Sequence, residues 1–173
     1  MRTRRTPEPG ILVMGVLSNS EEALSEAKTR VKDIFSPLLR WTVPLSFESF
    51  TDYYEEEMGH DIFRSYWVLT DRLARGALVE AKLATNGIER KMRTGEKRRV
   101  NLDPGLLTPE SLILASTKPY SHRVYISKGI YGEITYMFRK DGQIEFFPWT
   151  YPDYRSPTAV DFFSQVRKDY LLS

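Results

Sequence analysis

Seven consecutive apolar residues, Ile11-Leu12-Val13-Met14-Gly15-Val16-Leu17, place the strictest demand on this chain. A run of that length fits a buried strand. The arginines ahead of it give a superficial likeness to an export signal. However, Pro7 and Pro9 precede the run, and polar Ser18 to Glu22 follow it without a small-residue cleavage pattern. No apolar stretch approaches the roughly 20 residues needed to span a bilayer, so no membrane partner is expected. A chain of 173 residues suits one domain with a real core. It has no cysteine, which excludes disulfides, thiolate metal sites and cysteine nucleophiles, and points to the cytoplasm.

The formal charge of +2 misleads. Arg2, Arg4 and Arg5 lie in a head, residues 1–10, that Pro7, Pro9 and Gly10 are expected to keep irregular and flexible. Without those three arginines, 22 basic residues face 23 acidic ones. A nearly neutral body argues against a nucleic-acid footprint.

Residues 11–173 read as a single α+β domain. Asn19 and Glu22 have capping-box spacing ahead of a helix whose apolar stripe is Leu24, Ala27, Val31, Ile34 and Phe35, with Pro37 ending it. Trp41, Val43, Leu45 and Phe47 alternate as a half-buried strand, placed at an edge by Pro44. A strand over 62–69 follows, then a helix over 77–93 with Ala77, Ala81, Ala84, Ile88 and Met92 inward. Next comes a strand over 99–103 that Pro104-Gly105 closes. The order β-α-β-β-α-β is that of a ferredoxin-like split unit. Thr108-Pro109-Glu110 resembles a cap and first turn leading into 112–116. The remainder reads as an antiparallel β-meander with turns at Lys128-Gly129 and Asp141-Gly142, then a terminal helix from Ser156-Pro157. Ala159, Phe162, Phe163, Val166 and Tyr170 would dock that helix on the sheet.

Five segments carry concentrated polar chemistry. The stretch from Glu48 to Asp61 holds six acidic side chains and no lysine or arginine. Asp52 and Glu57 could serve as oxygen ligands there, or the stretch could be a solvated loop. Lys82, Asn86 and Glu89 share one helix face, roughly opposite the apolar stripe, ahead of a basic run from Arg90 to Arg99. That run suits a helix C-terminus or a phosphate. Arg99, Asn101 and Asp103 alternate onto one strand face, either as presented binding groups or as part of an Asx turn. His122 is the one plausible acid–base imidazole in a structured motif. A two-residue Lys128-Gly129 loop sets it opposite Thr135, with Glu133 diagonal and within reach. Finally, Pro148-Trp149-Thr150-Tyr151-Pro152-Asp153-Tyr154-Arg155-Ser156 is unusually rich for a connector, and either binds ligand groups or seals the sheet edge as an aromatic lid.

Four of these motifs carry a resemblance. Thr51-Asp52-Tyr53-Tyr54 with Met58-Gly59, Arg99 to Gly105, Ser121-His122-Arg123 and Pro148 to Ser156 resemble, in order and spacing, the bacterial family called domain of unknown function 4416. The resemblance covers nearly the whole chain from Ile11 and implies no established activity. Members of that family are often labelled GTP-binding proteins. The label has no support in these residues. Gly10 and Gly15 have P-loop separation, but Val16-Leu17 follow where Lys-Ser/Thr is required, and no Asn-Lys-x-Asp segment exists.

The leading expectation is an enzyme-like domain that binds a small phosphate- or carboxylate-bearing ligand, a nucleotide included. His122, Asp103 and Glu133 would handle protons, while Lys82, Asn86, Arg99, Asn101, Tyr151, Asp153 and Arg155 would bind. A second reading is a single-stranded RNA-binding module that stacks bases on Tyr125, Tyr131 and Trp149. A third is a non-catalytic interaction domain whose acidic segment faces a basic partner or its own 90–99 stretch. No standard metal-ligand spacing is present, no metal is expected, and the sequence names neither a cofactor nor an oligomeric state.

Overall fold

The computed structural model describes residues 3–47, 50–51 and 53–173. Strand β1 (Gly10–Ser18) leads into helix α1 (Glu21–Ile34), followed by short strands β2 (Leu38–Trp41) and β3 (Leu45–Ser46). Helix α2 (Glu55–Met58), strand β4 (Phe63–Leu73), helix α3 (Leu78–Lys91) and strand β5 (Val100–Leu107) come next. Strands β6 (Ser111–Ser116), β7 (Val124–Ser127), β8 (Ile130–Phe138) and β9 (Ile144–Phe146) precede helix α4 (Pro157–Leu172). One antiparallel sheet takes in all nine strands of the described residues, in the order β2-β4-β1-β5-β6-β8-β7, with β3 also on β4 and β9 also on β8. The fold is mixed α+β, with four α-helices among the described residues.

The apolar run places β1 at the middle of the sheet. Leu12, Met14 and Val16 pack under α1 and α3, against Ala23, Ala27, Val31, Ala81 and Ile88. Val13 faces the other way, into a core closed by Phe162, Phe163 and Val166 of α4. A strand apolar on both faces needs cover on both, and helices supply it. Ser156 caps α4, its Oγ accepting from Ala159 N at 3.3 Å, and Pro157 occupies the first helical position. At α1 the cap is Ser20, whose Oγ accepts from Ala23 N at 3.1 Å; Asn19 instead donates Nδ2 to Met58 O. Ile34 of the expected stripe is exposed.

Four local expectations give way to the tertiary structure. The strand expected over 41–47 is broken into β2 and β3, and of its alternating set Phe47 alone is buried while Trp41 and Val43 are exposed. β5 runs straight through Asp103-Pro104-Gly105, because Gly105 lets Leu114 of β6 approach where a Cβ would collide. The turn comes later, at Thr108, whose Oγ1 accepts from Ser111 N at 3.2 Å, so 108–111 is a hairpin and not a helix start. Lastly, β6 takes one edge of β8 and leaves β7 and β9 sharing the other end to end, which is not a simple meander.

Candidate functional site: a charged cavity where the sheet splays

Strands β5 and β6 pair only at Gly105–Leu107 with Leu112–Leu114. Toward Val100, β5 pairs with β1 alone, and beyond Leu114, β6 pairs with β8 alone. Pro104 contributes to the split because it has no N–H to donate. The exposed edge of β5 is satisfied by α3: Leu102 N donates to Glu89 Oε1 at 2.6 Å, and Leu102 O accepts from Lys82 Nζ at 3.0 Å. Two helix side chains thus stand where a neighbouring strand would, which keeps the gap open with the Leu102 amide and carbonyl both satisfied.

A cavity of about 670 Å3 occupies this gap. Lys82 and Asn86 from α3, Asn101 and Asp103 from β5, Glu133 from β8, and Tyr151 and Asp153 from the final connector all line it. Lys82 is buried and points inward, so the polar face of α3 is not opposite the apolar one. Its ammonium lies 3.4 Å from Asp103 Oδ1, and Asn101 Nδ2 donates to Asp103 Oδ2 at 2.7 Å. Asp153 is buried against Arg64 of β4, with Nε 2.7 Å from Oδ2 in an ion pair angled outside hydrogen-bond geometry. Tyr66 donates its hydroxyl to the same oxygen at 3.0 Å. Arg64 Nη1 and the Tyr154 hydroxyl are buried without a hydrogen-bond partner among the described residues.

Glu133 is likewise buried. Its Oε2 lies 2.8 Å from His122 Nε2 and accepts from Arg123 Nε at 2.7 Å, while Oε1 has no partner among the described residues. His122 is not on the cavity wall but behind Glu133, stacked on Trp149 at 5.1 Å between ring centres. The register there differs from strict hairpin pairing: an irregularity between Tyr125 and Ser127 sets Val124 opposite Gly132. Lys128 and Gly129 both adopt positive φ, as a two-residue hairpin loop requires.

Two candidates lie elsewhere. Arg99 precedes β5 and turns to α1, pairing with Glu22 at 3.1 Å and Glu26 at 2.8 Å. Arg155 curls under its own loop, where Nε donates to Thr150 O at 3.2 Å and the guanidinium sits over Phe146, so it pairs with neither Asp153 nor the cavity. Trp149 is stacked on Phe147 at 4.8 Å and on His122, which removes it from the set of free stacking rings. Asp52 lies outside the described residues. Glu57 pairs with Arg98 at 2.9 Å, so the acidic segment docks on the chain's own basic one.

Sequence reasoning missed Arg64, and its signal was present: an arginine next to the largely apolar stretch Tyr66–Leu69 of a strand, when buried, rarely goes unpaired. It also underrated Glu89, which holds the Leu102 amide and accepts from Arg98 at 2.9 Å. Burial pushes the Glu89 carboxyl above its usual range, outweighing the pull of Lys82 and Arg98. Burial likewise raises the Tyr151 hydroxyl.

The electrostatics of the wall are uneven. Each of its described carboxylates already has an internal cation: Arg98 for Glu57 and Glu89, Lys82 for Asp103, Arg64 for Asp153, Arg123 for Glu133. Arg90, Arg93 and Lys118 also line the cavity, are exposed, and have no described carboxylate within ion-pair distance. Lys118 instead donates to the Tyr53 hydroxyl at 2.7 Å and lies over that ring, and this hydrogen bond holds its pKa above the ordinary lysine value.

No curated protein and no solved structure matches the chain significantly. Among the described residues, no helix is long and apolar enough to cross a membrane. The sequence model of the family described as Domain of unknown function (DUF4416) matches residues 8–170. The chain therefore belongs to that family.

Proposed function

We propose that this domain binds a small anionic ligand, phosphate- or carboxylate-bearing, in the cavity between β5 and β6. The observation that carries this reading is the surplus of positive charge at the mouth. Four cations serve the five described wall carboxylates, whereas Arg90, Arg93 and Lys118 have no described carboxylate within ion-pair distance around a concave site of ligand size. Tyr53, Tyr120 and Tyr151 add partly exposed rings to that rim, which suits a ligand with a flat or apolar portion such as a nucleotide. Asp103 and Glu133, with His122 behind the latter, are the groups that would move a proton if the ligand is a substrate.

The strand order β2-β4-β1-β5, with α1 and α3 on one face, supports reading the first half as a ferredoxin-like unit within one domain over 11–173. A cysteine-free chain suits the reducing cytoplasm.

Thermal shift and calorimetry with pyrophosphate, organic phosphates and citrate test the binding reading. At least one anion should raise Tm, because a ligand specific for the native state stabilises it. The gain should shrink in salt and in Arg90→Ala and Arg93→Ala. If no anion binds the folded protein at low salt, the reading fails.

A further inference from the structure

We infer that Glu133 selects the ligand: its free carboxylate oxygen receives a hydroxyl or amino hydrogen, so the site takes phosphate compounds bearing such a donor in preference to bare anions. This rests on the anion-binding reading above and adds the identity of the ligand's other end.

Glu133 lines the cavity at 2 % exposure. Its two oxygens differ sharply, since Oε2 holds both His122 and Arg123 while Oε1 is buried with no hydrogen-bond partner among the described residues. A desolvated carboxylate oxygen without a donor is costly, and native structures seldom leave one so. The neighbours cannot swing round to serve it. Arg123 commits Nη1 to Ser116 Oγ at 2.7 Å and to Lys118 O at 3.1 Å, and Nη2 to the Tyr151 hydroxyl at 3.0 Å. His122 is pinned by its stack on Trp149, whose Nε1 is anchored to Ile134 O at 2.9 Å. The acceptor is therefore held rigidly, the condition for selectivity.

A fully ionised phosphate oxygen cannot fill that position, because it is itself an acceptor and negatively charged, so the comparison belongs well above the second phosphate pKa of about 6. The missing partner must be an N–H or O–H. The rim cations Arg90, Arg93 and Lys118 want the opposite chemistry. At about 670 Å3 the cavity exceeds what a bare phosphate would occupy and falls within the range for small-molecule sites. A compound with its phosphate at the rim and a hydroxyl or amine on Glu133 satisfies both demands.

Calorimetry on the full chain decides it, using ribose 5-phosphate, 2-aminoethyl phosphate, butyl phosphate and pyrophosphate. At least one of the two donor-bearing phosphates should bind about tenfold or more tightly than butyl phosphate, the usual worth of a hydrogen bond to a charged group. Tighter binding of ribose 5-phosphate assigns the hydroxyl, and tighter binding of 2-aminoethyl phosphate assigns the amine. Glu133→Gln should shrink the ratio of donor-bearing phosphate to butyl phosphate affinity, even though loss of a negative charge from the wall strengthens the binding of every anion. Equal binding of the three organic phosphates overturns the proposal, as does a folded Glu133→Gln that keeps the preference. If that variant does not fold, the wild-type comparison decides alone. Binding of pyrophosphate without a donor preference leaves the anion reading standing and removes this one; no binding by any probe removes both.

Discussion

Glu89 and Leu102 meet at 2.6 Å, the carboxylate of a helix accepting the amide of a strand that has lost its neighbour. Together with Lys82 on the Leu102 carbonyl, that bond allows the sheet to stay open. Replacing Glu89 with alanine leaves a buried amide unsatisfied and should cost about 1–3 kcal/mol in urea unfolding. Glu89→Gln retains an acceptor and should cost less.

The same residue has a pH signature. Burial raises the folded pKa of Glu89 above its unfolded value. Its contribution to stability is therefore fully present below the unfolded pKa and is lost as pH rises through the folded one. Unfolding free energies measured across that interval should fall less steeply with rising pH in Glu89→Gln than in the wild type. Parallel curves would contradict the assignment.

Gly15 lies where a methyl group would overlap the Tyr154 hydroxyl and come within 3.1 Å of Arg64 Nη1. Gly15→Ala should destabilise the fold by about 1–3 kcal/mol through overpacking. Tyr154→Phe removes a hydroxyl with no hydrogen-bond partner among the described residues, and should recover part of that loss in the double variant. Additive losses would show that the two residues do not compete for the space.

Arg64 and Asp153 form a buried pair whose acid also serves Tyr66. Asp153→Ala strands a buried guanidinium and should cost about 3–5 kcal/mol by chemical denaturation. Arg99→Ala removes a partly exposed pair with Glu22 and Glu26, and its cost should stay within about 1 kcal/mol.

Ser156 accepts from Ala159 N at the start of α4, the helix that closes one face of the core. Ser156→Ala should cost about 1 kcal/mol, and Ser156→Asp should restore most of it. Thermal melts of the three proteins suffice.

Much of this architecture is carried by short-range patterns. The apolar run marks β1, Ser156-Pro157 marks the start of α4, and Lys128-Gly129 marks a hairpin, because strand period, capping and positive-φ turns are properties of a few adjacent residues. The face shared by Lys82, Asn86 and Glu89 and the alternation of Asn101 with Asp103 were legible for the same reason. The direction those groups point was not. α3 runs beside an opened strand edge, so its polar face is buried on β5 and not turned to solvent. Arg99 shared a period with Asn101 yet lies just outside the strand, where the carboxylates of α1 capture it. Arg64 lies within the strand expected over 62–69 and is the counter-ion of Asp153, 89 positions later in the chain. By itself, then, the sequence determined the family and the elements with strong local signals, such as β1, α1, α3 and α4. Which charges face one cavity, which cancel one another and which stay free was decided only by the tertiary structure, because ion pairing and burial depend on distances between segments that no local period encodes.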